Sequence, residues 1–283
     1  CIPPMAVMPT ATGRVKPSGP AGNIFFLSTF TSGQLACIYD ASQTISQYLD
    51  MQILTNPQEL AAQCKAWHKA GDDIALVPTM GYYHQGHEDL MAYARTQAKR
   101  LVVSLFVNPT QFGPGEDLDA YPRNPERDAE VARSQGADAL FMPEPGAMYH
   151  PDHGTWVEVP ELSHGLCGLS RPVHFRGVCT VVLKLFMLTG ADVAVFGQKD
   201  WQQQAVLRRM VRDLDVPVRI ETRETVREAD GLALSSRNVY LSPDERAHAP
   251  EIRKALLYAQ KLAQSGETSV KLLREAVLRR WAE

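Results

Sequence analysis

From Ile74 to Ile220 the sequence repeats one alternation: a short apolar run, a cluster of turn-forming or polar residues, then a helical period of about ten to fifteen residues. Ile74–Pro78, Leu101–Val107, Ala139–Met142, Asp192–Phe196 and Val216–Ile220 read as strands. His87–Arg100, Asn124 to near Gly136, Phe175–Leu188 and Trp201–Leu214 read as helices. A further helix opens at Asn56-Pro57, a cap followed by proline at the first helical position, and closes at Gly71. This order predicts an α/β fold, a Rossmann-like parallel sheet with helices on both faces. Such sheets bind ligands beyond the carboxyl ends of their strands, so the residues that follow each run are the candidates for function.

Composition removes several alternatives. At 45% hydrophobic and 22% charged residues, the chain is not disordered as a whole. A formal net charge of −3 supplies no basic field for nucleic acid or anionic lipid. Apolar stretches such as Val178–Leu183 are soon broken, here by Lys184, well short of the roughly 20 residues that span a bilayer. Five cysteines, at positions 1, 37, 64, 167 and 179, form no CxxC pair and read as reduced thiols. A soluble cytoplasmic protein without nucleic-acid or membrane partners is expected. Residues 1–50, with scattered prolines and no sustained period, read as a disordered N-terminal extension; Ile24–Leu27 is too short for a signal sequence. Residues 51–230 form the Rossmann-like domain. Residues 231–283 hold a polar loop and the helical stretches Pro243–Gln264 and Ser269–Trp281.

The segment after the first apolar run, Met80-Gly81-Tyr82-Tyr83-His84-Gln85-Gly86-His87, leads straight into a helix. A helix N-terminus offers unpaired N–H groups and partial positive charge to an anion, and two imidazoles three residues apart can both reach it. HxGH alone is a weak pattern; between strand and helix it gains specificity. After the second run, Asn108 and Gln111 carry amides suited to a carboxylate or hydroxyl. After a later one, Gly197-Gln198-Lys199-Asp200 opens a helix, with Lys199 as a point charge for phosphate and Gln203 one turn further on the same side. Arg171, in Ser170–Gly177, and Leu234-Ser235-Ser236-Arg237 are flexible anion clamps. Singly, each pattern is more often a helix cap, a solvated ion pair or ordinary loop chemistry. Together they place phosphate-competent groups at successive strand ends.

The strings VPTMG, HQGH, SLFVNPTQF, DLDAYPR, SRPVHFRGV, FGQKDWQQ and ADGLALSSRNVYLSP, in that order, resemble the pantoate–β-alanine ligase family of HIGH-motif nucleotidyltransferases, over residues 51 to about 250. The resemblance implies ATP-dependent condensation of pantoate with β-alanine. Pantoate attacks the α-phosphate of Mg-ATP to give pantoyl adenylate and diphosphate, and the amine of β-alanine then displaces AMP. It implies that Met80 to His87 bind ATP, with His84 and His87 on the phosphates and His87 as proton donor. Gly197 to Asp200 would contact the nucleotide, Lys199 neutralising phosphate and Asp200 binding ribose, with Val226 against adenine. Leu234 to Arg237 would form a mobile loop over the triphosphate, with Arg237 among the catalytic groups. Gln111 and Gln203 would hold pantoate, with Asn108, Tyr121 and Arg171 also lining the substrate site and Asp128 near magnesium. ATP serves as a substrate with Mg2+, no prosthetic group is bound tightly, and a homodimer is implied.

Tyr82-Tyr83, Cys167 and Val173 depart from the family's usual residues without deleting a phosphate ligand. The family continues into a small C-terminal domain with antiparallel strands, whereas the last residues here read as helices. The expectation is an incomplete lid, exposed apolar helix faces and weak or absent turnover. Two rival readings differ in their observables. AMP transfer to another phosphate leaves Gln111 and Gln203 unexplained, and nucleotide binding without turnover would show ATP affinity but no AMP. A metal site at His150, His153 and His164 lacks a completing ligand and is set aside.

Overall fold

Asn56 accepts hydrogen bonds from the backbone N–H groups of Gln58 and Glu59, which starts α1 (Pro57–Lys69) as the sequence anticipates. The computed structural model describes residues 51–282, and the expectation of a disordered segment at 1–50 falls outside them. The strands are β1 (Gln52–Leu54), β2 (Ile74–Thr79), β3 (Arg100–Leu105), β4 (Ala139–Phe141), β5 (Val193–Gly197) and β6 (Arg219–Arg223). The longer helices that follow α1 are α2 (Gln85–Arg95), α3 (Pro125–Ser134), α4 (His174–Thr189), α5 (Trp201–Asp213), α6 (Pro243–His248), α7 (Glu251–Gln264) and α8 (Val270–Ala282).

All six strands join one sheet in the order β1-β4-β3-β2-β5-β6, and every pairing is parallel. Alternate side chains sort cleanly to its two faces. Ile74 and Leu76 of β2, Val102, Phe141 and Phe196 pack with α1, α4 and α5 through Leu60, Leu185, Leu207 and Met210. Ala75 and Val77, with Val103, Leu140 and Val195, pack with α2 and α3 through Met91, Ala94 and Ala132. The chain leaves β2 toward β3 and β4, then α4 carries it back to the other side of β2 as β5. The carboxyl ends of β2 and β5 therefore flank the crevice where the strand order reverses.

Several boundaries differ from the sequence reading. α2 begins at Gln85 with His84 as its cap, and it ends at Arg95 because Arg100 enters β3. β6 starts at Arg219 rather than Val216, since Asp215 takes a left-handed conformation (φ 49°) and Val216 closes a turn onto Val211. The helical stretch 243–264 is two helices, broken at Ala249-Pro250. The short edge strand β1 was not anticipated, nor were single helical turns at Pro145–Met148, Pro160–Ser163 and Cys167–Ser170.

At the amino ends of β2, β3 and β4, acidic and basic groups pair with one another. Asp72 binds Lys99 and Arg100, and Asp138 binds Arg95 and Arg100 at 2.6 and 2.9 Å. On α7 and α8, Ile252, Leu256 and Trp281 are about half exposed. No described helix is long and apolar enough to cross a membrane.

Leu76 is fully buried at the centre of the sheet. Its replacement by alanine should lower unfolding stability by about 2–5 kcal/mol, measured by denaturant titration, because a central strand has little room to collapse into the cavity.

Candidate active site

The turn after β2 is held by one carboxylate. Asp128, buried on α3, accepts the backbone N–H of Tyr82 at 2.6 Å and of Tyr83 at 2.7 Å. These bonds keep Gly81 (φ 88°) and Tyr82 (φ 53°) in left-handed conformations, an unfavourable region for tyrosine that needs such support. Burial pushes the Asp128 carboxyl up, opposed by the two N–H donations. Asp128 does not line the cleft, and both its oxygens already serve the backbone. Asp128, anticipated near magnesium, holds this turn through one backbone N–H on each oxygen.

The turn delivers His84 as the N-cap of α2. Its Nδ1 accepts the Gly86 N–H at 3.1 Å, while His87 Nδ1 accepts the His84 N–H at 3.3 Å. Glycine at 86 follows from this packing, since a Cβ there would lie 2.9 Å from His84 Cε1. The rings lie 4.2 Å apart between centroids. With both Nδ1 atoms accepting, the neutral tautomer carries its proton on Nε2. Burial, then the Lys199 ammonium, pushes His84 down to about 4. Burial, then His84 and Lys199, pushes His87 down to about 3. At neutral pH both are uncharged N–H donors.

These groups open onto a cleft of about 240 Å³ between the ends of β2 and β5. His84 and His87 share it with Lys199, just beyond β5, and with Arg237 from the 3₁₀ segment Ser236–Tyr240. Of the other anticipated residues, Met80, Gly86, Asn108, Gln111, Tyr121, Arg171, Gly197, Asp200, Gln203, Val226, Leu234, Ser235 and Ser236 also line it. Gly81, Tyr82, Tyr83, Gln85 and Gln198 do not. The Tyr83 ring instead packs into the α2 side of the core, and its hydroxyl accepts a hydrogen bond from Thr79. Among the described residues Lys199 makes no ion pair. The Ser236 hydroxyl donates to the Tyr82 carbonyl at 3.1 Å, joining the two loops over the cleft.

At the far end Gln111 is buried and its amide is fixed from both sides: Asn108 Nδ2 donates to its Oε1 at 3.1 Å, and its Nε2 lies 3.2 Å from the Met80 sulfur. Asn108 itself is committed to the protein, donating to Gly177 O and accepting from Thr110 and Tyr149, so it orients Gln111. α4 crosses close by at Gly177, where a Cβ would fall 2.5 Å from the Gln111 nitrogen. In the run Gln202-Gln203-Gln204 only the middle side chain faces the cleft. Gln202 bonds Leu162 O, Gly165 O and Cys167 N, and Gln204 bonds Gly197 O.

Sequence reasoning passed over His174 and the apolar wall of Val178, Val181, Val182 and Leu185. His174 Nδ1 lies 3.1 Å from Gln111 O, and burial, then Arg171, pushes its pKa down. The signal was present in RPVHFRG, but only its arginine was singled out. The wall escaped because most of α4 outside Arg176 and Lys184 is apolar, and periodicity could not tell cleft from core.

The sequence model described as Pantoate-beta-alanine ligase matches residues 52–282 of this chain. The chain belongs to the pantoate–β-alanine ligase family. A pantothenate synthetase of Desulfovibrio desulfuricans is 80% identical over 233 residues, spanning 82% of this chain and 83% of that protein. The crystal structure of the pantothenate synthetase from Thermus thermophilus is similar at 46% identity with a TM-score of 0.77, covering 81% of this chain and 82% of that one. The ligase of Francisella tularensis, solved in complex with β,γ-ATP and β-alanine, superposes at 32% identity with a TM-score of 0.71, covering 81% and 86%. As an α/β ligase of this family, the chain conforms to the fold and enzyme class expected from its sequence.

Two outcomes follow for the ligase cleft. Imidazole NMR at pH 7 should show His84 and His87 as Nε2–H tautomers, protonating near pH 4 and pH 3. Because these values lie below the 6.5 of a free histidine, their contribution to stability is complete above pH 6.5 and is lost as pH falls toward 4 and 3. Separately, Gly177→Ala should push the Gln111 segment away from α4, raising KM for the acid substrate about tenfold or more while ATP affinity, titrated calorimetrically, is retained.

Proposed function

We propose that this ligase condenses pantoate with β-alanine, using ATP, through a pantoyl adenylate, and releases AMP and diphosphate. The carrying observation is that two neutral imidazoles, an ammonium and a guanidinium line one cleft with the amides of Gln111 and Gln203. The Francisella relative, solved with β,γ-ATP and β-alanine, supports the same substrates here.

No protein nucleophile is required, because the substrate carboxylate attacks phosphorus directly. The protein's part is to align the reactants and stabilise charge that grows on the α-phosphate and the departing diphosphate. His84 and His87 donate through Nε2 to phosphate oxygens, and an anion placed there raises their proton affinity, which suits His87 to proton donation. Lys199 supplies a full positive charge from the other strand, and Arg237 reaches from the loop above. Asp200 is placed for ribose and Val226 for adenine. Gln111 and Gln203 suit the hydroxyls of pantoate, while the apolar wall of α4 suits its two methyl groups. Magnesium arrives with ATP as part of the substrate. Cytoplasmic placement and a homodimer belong to the same reading.

Adenylyl transfer to another phosphate is the weaker alternative, since it leaves the amide end of the cleft without a role. A product assay with ATP, pantoate and β-alanine, omitting each in turn, separates the two. The expected result is AMP formation that needs both acids, with pantoate alone supporting exchange of labelled diphosphate into ATP. ADP as product, or exchange without pantoate, would overturn the proposal. Within it, His87→Ala or Lys199→Ala should each reduce turnover by about 10²–10³, the scale of losing one preorganised donor.

A further inference from the structure

Both arginines of the cleft are engaged by adjacent residues of one loop. Arg171 binds Glu116 through Nη2 and through Nε at 2.8 Å. Arg237 binds Asp117 in a fork, Nε at 2.7 Å and Nη2 at 2.9 Å. The two guanidiniums flank one ring, each 6.0 Å from the centroid of Phe112. Arg237 also lies 5.1 Å from the Tyr121 ring. The loop is shaped to reach both: Gly115 is left-handed (φ 80°), Glu116 N–H closes a turn onto Gly113 O, and Glu116 Oε1 occupies the space a Cβ at Gly113 would need. The Tyr240 hydroxyl lies 3.3 Å from Asp117 Oδ2 and 3.0 Å from Ala120 O, with its one proton to share, and braces the loop from the Arg237 side.

A fork-shaped guanidinium–carboxylate pair has the geometry with which arginine also grips phosphate or a substrate carboxylate. Each arginine can satisfy one such partner at a time. These pairs sit at the rim, with the Glu116 side chain 21% and the Asp117 side chain 27% exposed, so each exchanges readily for another anion. Lys199, without an ion pair among the described residues, has no such competitor.

We propose that Glu116 and Asp117 are positioning residues that occupy Arg171 and Arg237 in the empty enzyme, stand in for the substrate anions, and reclaim the arginines when product leaves. Asp117 competes with the diphosphate portion of ATP for Arg237, and Glu116 competes with the carboxylate of the acid substrate for Arg171. This rests on the placement of Arg237 over phosphate given above. The loop costs ground-state affinity, keeps both guanidiniums folded against Phe112 rather than in water, and speeds release of diphosphate.

The experiment is calorimetric titration of the native enzyme, Asp117→Asn, Glu116→Gln and Arg237→Ala with inorganic diphosphate and with pantoate, alongside steady-state kinetics. Asp117→Asn should tighten diphosphate by about 2- to 5-fold, the range of one partly exposed ion pair, and leave pantoate unchanged. Glu116→Gln should do the reverse. In Asp117→Asn both KM for ATP and kcat should fall, with diphosphate a stronger product inhibitor, and Asp117→Glu should restore native behaviour. Unchanged or weaker anion affinity in both neutral variants would overturn the proposal. If Arg237→Ala loses diphosphate affinity while Asp117→Asn gains none, the competition fails but the assignment of Arg237 stands. If Arg237→Ala binds diphosphate as tightly as the native enzyme, that assignment fails first.

Discussion

The imidazole end of the cleft depends on a carboxylate that does not line it. Asp128 gathers two successive backbone N–H groups and thereby holds a turn that a tyrosine would not otherwise adopt. From that turn His84 enters as a cap, and the cap places His87 one turn along, so both rings inherit their orientation from α3. A carboxylate accepting N–H bonds in a buried setting is a strong constraint, because leaving those donors unpaired would cost more than the bond itself is worth. The sheet supplies the crevice; Asp128 fixes the shape of its wall.

The two ends of the sheet treat charge differently. At the amino ends Asp72 and Asp138 are saturated by Arg95, Lys99 and Arg100, which stitches the bases of β2, β3 and β4 together. At the carboxyl ends the imidazoles are kept neutral by burial and by Lys199, and the arginines are held on loop carboxylates. An anion entering there meets donors already aimed and, among the cleft's described cations, one, Lys199, without an ion pair. This is the preorganisation that charge-stabilising catalysis requires.

Much of this was legible in the sequence, and the part that was not has a common cause. Strand-length runs and helical periods gave the parallel sheet, and HxGH, the QKD segment and SSR gave the residues that meet in the cleft, because each sits at a strand end or helix cap. What stayed hidden are contacts between residues distant in the chain: Asp128 with Tyr82, Asn108 with Gly177, Glu116 with Arg171. For Asp128 a sequence shows the carboxylate but not the two backbone N–H groups that its oxygens hold. His174 and the wall of α4 were missed for the converse reason, that residues typical of a core also line a cleft. The shift of β6 came from a left-handed aspartate, a conformation that local apolar content does not register.

The return of the chain across the sheet has a consequence for when the enzyme becomes an enzyme. His84 and His87 follow β2, whereas Lys199 follows β5, and β3, α3, β4 and α4 all lie between them in the chain. As a polypeptide emerges from its N-terminus, the half-site carrying the imidazoles is made long before its cationic counterpart exists. A ligand that needs both the imidazoles and Lys199 therefore cannot assist the early steps of folding. It can only reward a chain whose long-range β2–β5 pairing is complete, so that ligand protection reports the last major closure of the sheet rather than its nucleation.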